Sequence, residues 1–238
     1  RSVPPDSRDD GFHLIEPRIF RFDPHRFAET SLTRILHPHG SVFYGYPRFS
    51  DRNQFNFEDL HEDLYRFETP NEARRTWPGR SNNHAQSGET AIGGPIITGQ
   101  RKTDKMLCYP YSSYQSVFND AILRSPRLLI AGYSFGDIHF NRLLSRVTRL
   151  HGNDRRVVVI DSAPEDVRDS WHPEYSARGW PSVETFHQLA RLARDPAPLG
   201  GRYRHPWESS DRKCRVYLQG FKDAVTNHAA DIIEFLAG

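Results

Sequence analysis

The strongest chemical signal in the sequence is Leu128-Leu129-Ile130-Ala131-Gly132-Tyr133-Ser134-Phe135-Gly136-Asp137. A short apolar run ends in a glycine turn, and a helical pattern follows. In open α/β sheets, ligands collect at the carboxyl ends of strands. A helix N-terminus at that place offers free N–H groups and the positive end of a dipole, which suits a phosphate. Gly132 and Gly136 let a ligand approach the backbone closely, and Ser134 adds a hydroxyl. The same letters fit two other readings. One is a plain strand-to-helix turn in which Asp137 caps the helix. The other is a nucleophile elbow, Gly-x-Ser-x-Gly, with Ser134 as nucleophile, Asp161 as acid, and His205 or His228 as the later histidine. The irregular sequence before residue 128 lacks the several strands that such a hydrolase needs.

Three further stretches carry chemistry-bearing residues. His39 lies between Pro38 and Gly40, directly after an apolar run, so it sits on a constrained turn. An imidazole titrates near neutrality and suits a general base; a surface-turn histidine is the plain reading. Residues 94–105 form a Gly-bounded segment with Arg101, Lys102 and Lys105, which could cover an anion or simply be solvated. Asp161 ends an apolar run. A carboxylate there can accept bonds from ribose hydroxyls, or it can start a turn before Pro164.

These positions need elements to hold them. Residues 1–30 are polar and irregular, and residues 15–22 read as an edge strand because Pro17 demotes them from a central place. Residues 33–37 and 42–46 read as two strands around the His39 turn. Leu60, Leu64 and Phe67 recur at helical spacing and predict a short helix over 58–67. Residues 79–94 are rich in Gly, Ser and Asn and read as a loop. From there the pattern becomes regular. Helices are predicted over 111–123, 137–150, 183–194 and 222–236. In the last of these, Phe221, Val225, Ala229, Ile232 and Leu236 are expected to point inward. Residues 127–131 and 156–160 read as strands buried on both faces, with a weaker strand at 216–218. Strand–helix alternation of this kind is the mark of an open α/β sheet.

Composition narrows the function. The chain has 238 residues, a net charge of +2 and 12 His. A near-neutral chain is not a dedicated nucleic-acid binder, and no direct nucleic-acid binding is expected. Arg outnumbers Lys 28 to 4, a bias read as the host's coding habit; the Arg142, Arg146 and Arg149 helix face reads as solvated. Cys108 and Cys214 are the only cysteines, which excludes a disulfide scaffold and a four-cysteine zinc site within the chain and fits a reducing compartment. No run is apolar for the roughly 18 residues a membrane helix needs, and no signal-peptide pattern opens the chain. A cytoplasmic location is expected.

Four motifs agree with one family. Leu36-His37-Pro38-His39-Gly40-Ser41, Pro95-Ile96-Ile97-Thr98-Gly99, the Gly-Tyr-Ser-Phe-Gly-Asp of 132–137, and residues 157–161 resemble, in order and spacing, the sirtuin-like (SIR2-like) domain family in its divergent bacterial branch. The resemblance implies an α/β fold with a Rossmann-like open parallel sheet. Residues 1–165 would be the NAD-binding core, with 47–95 as an irregular insertion, and 166–238 a C-terminal extension of the same domain. It implies His39 as catalytic base; Gly132, Tyr133, Ser134 and Phe135 around the phosphates and ribose; and Asp161 at the adenosine ribose, where classical sirtuins have Asn. The family's first Gly-rich strand–loop–helix is absent, so the chain reads as the C-terminal portion of a longer protein. The zinc cysteines are absent too, so the resemblance favours NAD+ hydrolysis, with NAD as substrate and no metal, over protein deacylation. A non-catalytic sensing or assembly module is the remaining alternative. Bacterial members of this type are often antiphage NAD-depleting effectors. They imply a homo-oligomer and pairing with an ATPase or an Argonaute-like protein.

Overall fold

The computed structural model describes residues 8–31, 33–46, 63–76, 106–163, 183–194 and 206–238. The chain divides into two compact units, Arg1–Phe118 and Asn119–Gly238.

The first unit is built on an antiparallel sheet. β1 (Arg8–Asp9) pairs in parallel with β4 (Thr33–Arg34). β2 (Phe12–Glu16), β3 (Ile19–Phe22), β5 (Tyr44–Gly45) and β6 (Tyr65–Phe67) form a second sheet in the order β2-β3-β6-β5. Residues 15–22 are therefore not one edge strand. Pro17 falls in the turn between β2 and β3, where a missing N–H costs no ladder bond, and β3 is internal. The helix expected over 58–67 is also corrected. Its last three residues are β6, because the ladders offered on both sides by β3 and β5 outweigh a local helical spacing; residues 58–62 lie outside the described residues.

Two short helices complete the frame. α1 (Pro24–Glu29) is capped by the Asp23 carboxylate, and α2 (Pro70–Arg74) by a Thr69/Glu72 capping box. The core is aromatic: Phe12, Phe22, Phe27, Tyr44, Tyr46 and Tyr114 pack together, several edge-on.

The second unit follows the expected alternation closely. α3 (Tyr111–Arg124) begins in the first unit, whose core holds its Tyr111 and Tyr114, ends in the second, and leads to β7 (Arg127–Ala131). α4 (Ile138–His151) leads to β8 (Arg156–Ile160), and α5 (Val183–Ala193) follows. β9 (Trp207–Glu208), β10 (Cys214–Tyr217) and α6 (Phe221–Ala237) close the chain. The sheet order is β7-β8-β10-β9. β7, β8 and β10 are parallel, and β9 is antiparallel at the edge. The whole is a mixed α/β protein with two main sheets, one of them largely parallel.

One face of the parallel sheet packs Leu128, Val157, Val159, Cys214 and Val216 against Leu144 and Val147 of α4 and Leu189 and Leu192 of α5. The other packs Val158, Ile160 and Tyr217 against Ala224 and Ile232 of α6. β8 is buried on both faces, as expected. β7 is not: Leu129 is 51% exposed, because α6 lies over β8 and leaves the β7 end of that face open. The inward stripe expected for α6 holds at Ile232 and Leu236 but fails in the first turns of the helix. Ala224 and Ile232 are buried, whereas Phe221 is 57% exposed and Val225 is also exposed.

A buried arginine ties the unit's amino-side loops together. Arg155 is fully buried, donates to the Leu192 and Gly152 carbonyls, and pairs with Asp211 at 2.5 Å.

Candidate functional site

Most of the residues singled out gather at the carboxyl edge of the parallel strands. The Gly132 N–H donates to the Ile160 carbonyl at 3.0 Å, so the turn leaves the sheet beside the end of β8. Asp161 follows β8. Its N–H donates to the Tyr217 carbonyl and its own carbonyl accepts from Gly220, both at 2.9 Å. One carboxylate oxygen accepts from the Ser162 N–H at 2.8 Å. Ser162 and Gln219 then form a bridge beyond β8 and β10. Gly132, Asp161 and Gly220 thus line one edge.

Exposure alternates along the turn. Gly132, Ser134 and Gly136 are exposed, Tyr133 is half-buried, and Phe135 is 0% exposed. The three small residues face outward, while the two aromatics between them anchor the turn, their rings 4.8 Å apart. Phe135 reaches no ligand with its side chain; only its backbone is available. Gly132 has φ +63°, and a Cβ there would meet no atom within 4 Å. Glycine is needed for the backbone conformation, and the space beside it is open. Phe135 holds the left-handed region at φ +55° without being glycine, a conformation that surrounding contacts must enforce.

Two sequence readings change here. The start of α4 is not a free anion site. The Asp137 carboxylate accepts from the His139 N–H at 2.9 Å and the Phe140 N–H at 3.5 Å. It occupies amides that a phosphate would use and adds a negative charge beside them. Asp137 therefore caps the helix, and an anion bound here must use the turn's own amides. The nucleophile elbow is overturned as well. In an elbow the serine itself sits on the sharp, strained turn. Here the positive φ values fall on Gly132 and Phe135, not on Ser134, and the helix begins only at Ile138.

His39 belongs to the first unit. Pro38 and His39 form a tight turn closed by a 2.9 Å bond from the Gly40 N–H to the His37 carbonyl. Gly40 has φ +92°, which only glycine adopts without strain. His39 is half-buried and its Nε2 is shielded from solvent. The turn rests on a tyrosine cluster. His37 lies edge-on to Tyr44, with ring centres 6.1 Å apart, and the Tyr44 and Tyr114 hydroxyls are 3.2 Å apart. Tyr114 also donates to the Asp10 carbonyl at 2.5 Å. Burial pushes the Tyr44, Tyr111 and Tyr114 phenols far above their ordinary range, and Tyr46 up to about 12. They stay protonated at neutral pH and act as a neutral scaffold.

The cationic stretch 94–105, the 95–99 motif and His205 lie outside the described residues. Among the described residues, no group of three His, Cys, Asp or Glu is placed to hold a metal ion, and no helix is long and apolar enough to cross a membrane. Cys108 and Cys214 are buried thiols outside any disulfide, and burial pushes the Cys214 thiol up to about 12.

Sequence reasoning missed Asn141. It lies in the first turn of α4 and is 2% exposed. The available signal was an amide on a helix face otherwise made of Phe140, Leu144 and Val147. It also missed Gln219, whose Nε2 lies 3.3 Å from His228 Nε2 at the edge of the site.

A family model described as a SIR2-like domain matches residues 15–178, more than half of the chain. The match includes His39, the 132–137 turn and Asp161, and it ends before β9. No curated protein matches the chain.

Proposed function

Because this chain belongs to the SIR2-like domain family, we propose that it carries the NAD-binding part of an NAD+ hydrolase that cleaves the nicotinamide–ribose bond. SIR2-like domains bind NAD. The observation that carries the reading is the alternating turn: Gly132, Ser134 and Gly136 face solvent at the carboxyl edge of a parallel sheet, beside Asp161. In open α/β sheets nucleotides bind at such an edge. In this reading Ser134 and the backbone of residues 132–136, Tyr133 and Phe135 included, hold the ribose and phosphates. The Asp161 carboxylate at the end of β8 accepts from the adenosine ribose. The outer edge of β7, which pairs with no strand among the described residues, seats the further strand that a Rossmann-like site uses.

The reaction adds water across one bond. The C–N bond between ribose and nicotinamide breaks, and its electron pair leaves with nicotinamide. The sugar passes through an oxocarbenium-like state. Water attacks it, and His39 takes the proton, giving ADP-ribose, nicotinamide and H+. A chain with two cysteines has no four-cysteine zinc module of its own, which favours hydrolysis over peptide deacylation. The resemblance alone supports the remaining parts of the reading: a cytoplasmic antiphage effector that depletes NAD, acting as a homo-oligomer with an ATPase or an Argonaute-like partner.

The test replaces the base. In the full-length protein, His39→Ala lowers NAD+ turnover by about 10²–10⁴-fold, the usual contribution of a positioned acid or base, with the fold intact by melting. Turnover at the parent rate removes His39 from the mechanism.

A further inference from the structure

The turn at 132–137 has one non-glycine residue in the left-handed region, and one side chain holds it there. Asn141 Nδ2 donates to the Phe135 carbonyl at 2.6 Å, while Asn141 Oδ1 accepts from the Tyr133 hydroxyl at 2.9 Å. The same hydroxyl lies 3.0 Å from the Asp137 carbonyl. A single buried amide therefore fastens the first aromatic of the turn, the second aromatic's backbone and, through Tyr133, the helix cap. Its own backbone is fixed too: the Asn141 N–H donates to Asp137 O at 2.9 Å, and Asn141 O accepts from Ser145 Oγ at 2.8 Å. Ser145 Oγ in turn reaches Gln188 of α5 at 3.2 Å. The chain of bonds runs from the core of the α4–α5 layer out to the exposed loop.

The chemistry explains why an amide stands here. A buried carbonyl needs a donor and a buried phenol needs an acceptor; Asn supplies both from one short, branched group. Asp has no donor for Phe135 O, and Leu has neither function. Phe135 sits between Ser134 and Gly136, so the orientation of its peptide sets where those two exposed residues point. From these contacts we propose that Asn141 is the positioning residue of the nucleotide turn: it touches no ligand, but sets the direction of the Ser134 hydroxyl and the backbone amides that meet the ribose and phosphates. The inference rests on the NAD reading above, and it goes beyond it in assigning the turn's geometry to a residue on the helix.

The test compares Asn141→Ala, Asn141→Asp and Tyr133→Phe with the parent in the full-length protein. Melting temperature, the KM for NAD+ and kcat per folded molecule are measured well below each melting transition. Positioning predicts a KM raised at least about tenfold in both Asn141 variants, since a displacement of about 1 Å at a site is costly. Tyr133→Phe, which removes one arm, gives a smaller rise of the same kind. A merely structural role lowers the melting temperature and the folded fraction but leaves the KM of the folded molecules at the parent value; that result overturns the proposal. If Asn141→Ala does not fold, Tyr133→Phe decides by the same reading. A parent protein that neither binds nor turns over NAD+ overturns the function instead, and with it the ligand assigned to the turn.

Discussion

Gly132→Ala separates stability from binding better than any other change at the site. Gly132 holds φ +63° at the end of β7, and a methyl there would meet no atom within 4 Å. The cost to the fold is therefore the backbone term alone, roughly 1–2 kcal/mol for a non-glycine residue in the left-handed region. For a chain of this size that is a fall in Tm of roughly 2–8 °C. Binding should suffer more. A ligand that uses the closeness of this backbone would meet the new methyl directly, and NAD+ affinity should fall at least about tenfold, or about 1.4 kcal/mol.

Gly11→Ala is the control in the first unit. Gly11 has φ +81°, and its Cβ would come within 2.2 Å of the buried Phe22 ring. Strain and overpacking together should cost roughly 2–5 kcal/mol, yet the folded fraction should bind NAD+ as the parent does. Differential scanning fluorimetry and calorimetric NAD+ titration on both variants make the comparison. Parental affinity in Gly132→Ala, or a collapse of its stability, would refute the reasoning.

Two further expectations concern the scaffold. Burial pushes the Asp211 carboxyl up, but the Ser209 hydroxyl and the Arg155 guanidinium beside it outweigh burial and hold it below the ordinary carboxylate range. A depressed folded pKa adds stability that is present above about pH 4 and is lost as pH falls through the folded value. Asp211→Asn should remove that acid-dependent part and leave buried Arg155 without its carboxylate. A loss of about 2–3 kcal/mol at pH 7 is expected, read by urea titration at pH 7 and pH 3, with the gap to the parent narrowing at the lower pH. The first turns of α6 have their own pair of variants. Ala224→Leu should cost about 1–3 kcal/mol, because Ala224 is sealed against the sheet. Phe221→Ser should stay within about 0.5 kcal/mol; the reverse order would restore the stripe read from the sequence.

Much of the second unit was legible in the sequence because its signals are local and agree. The β-branched run 157–160 marks β8, the glycine after Ala131 marks the end of β7, and Asp137 marks the start of α4; the parallel order follows from their alternation. The first unit was harder. β3 and β6 are four and three residues long, and what makes them strands is pairing with segments tens of residues away. No window around Tyr65 contains that information. Pro17 was misjudged because its effect depends on whether it falls within a strand or between two. In the site, Gly-x-Ser-x-Gly was visible as a pattern, but its meaning depended on which residue has positive φ. The sequence cannot say that; the backbone can, and it excludes the elbow. The Asp137 cap was visible as one of two readings, and hydrogen-bond geometry chose between them. Asn141 was missed because an amide on an otherwise apolar helix face marks an odd residue but names no role until its two partners, six and eight residues upstream, are folded over it.

The most direct test of the central claim is product analysis. Full-length protein incubated with NAD+ and no acylated peptide should release nicotinamide and ADP-ribose in equal amounts, and His39→Ala should slow the release of both by about 10²–10⁴-fold. NAD+ left intact, or consumed only when an acyl-lysine peptide is supplied, would contradict it.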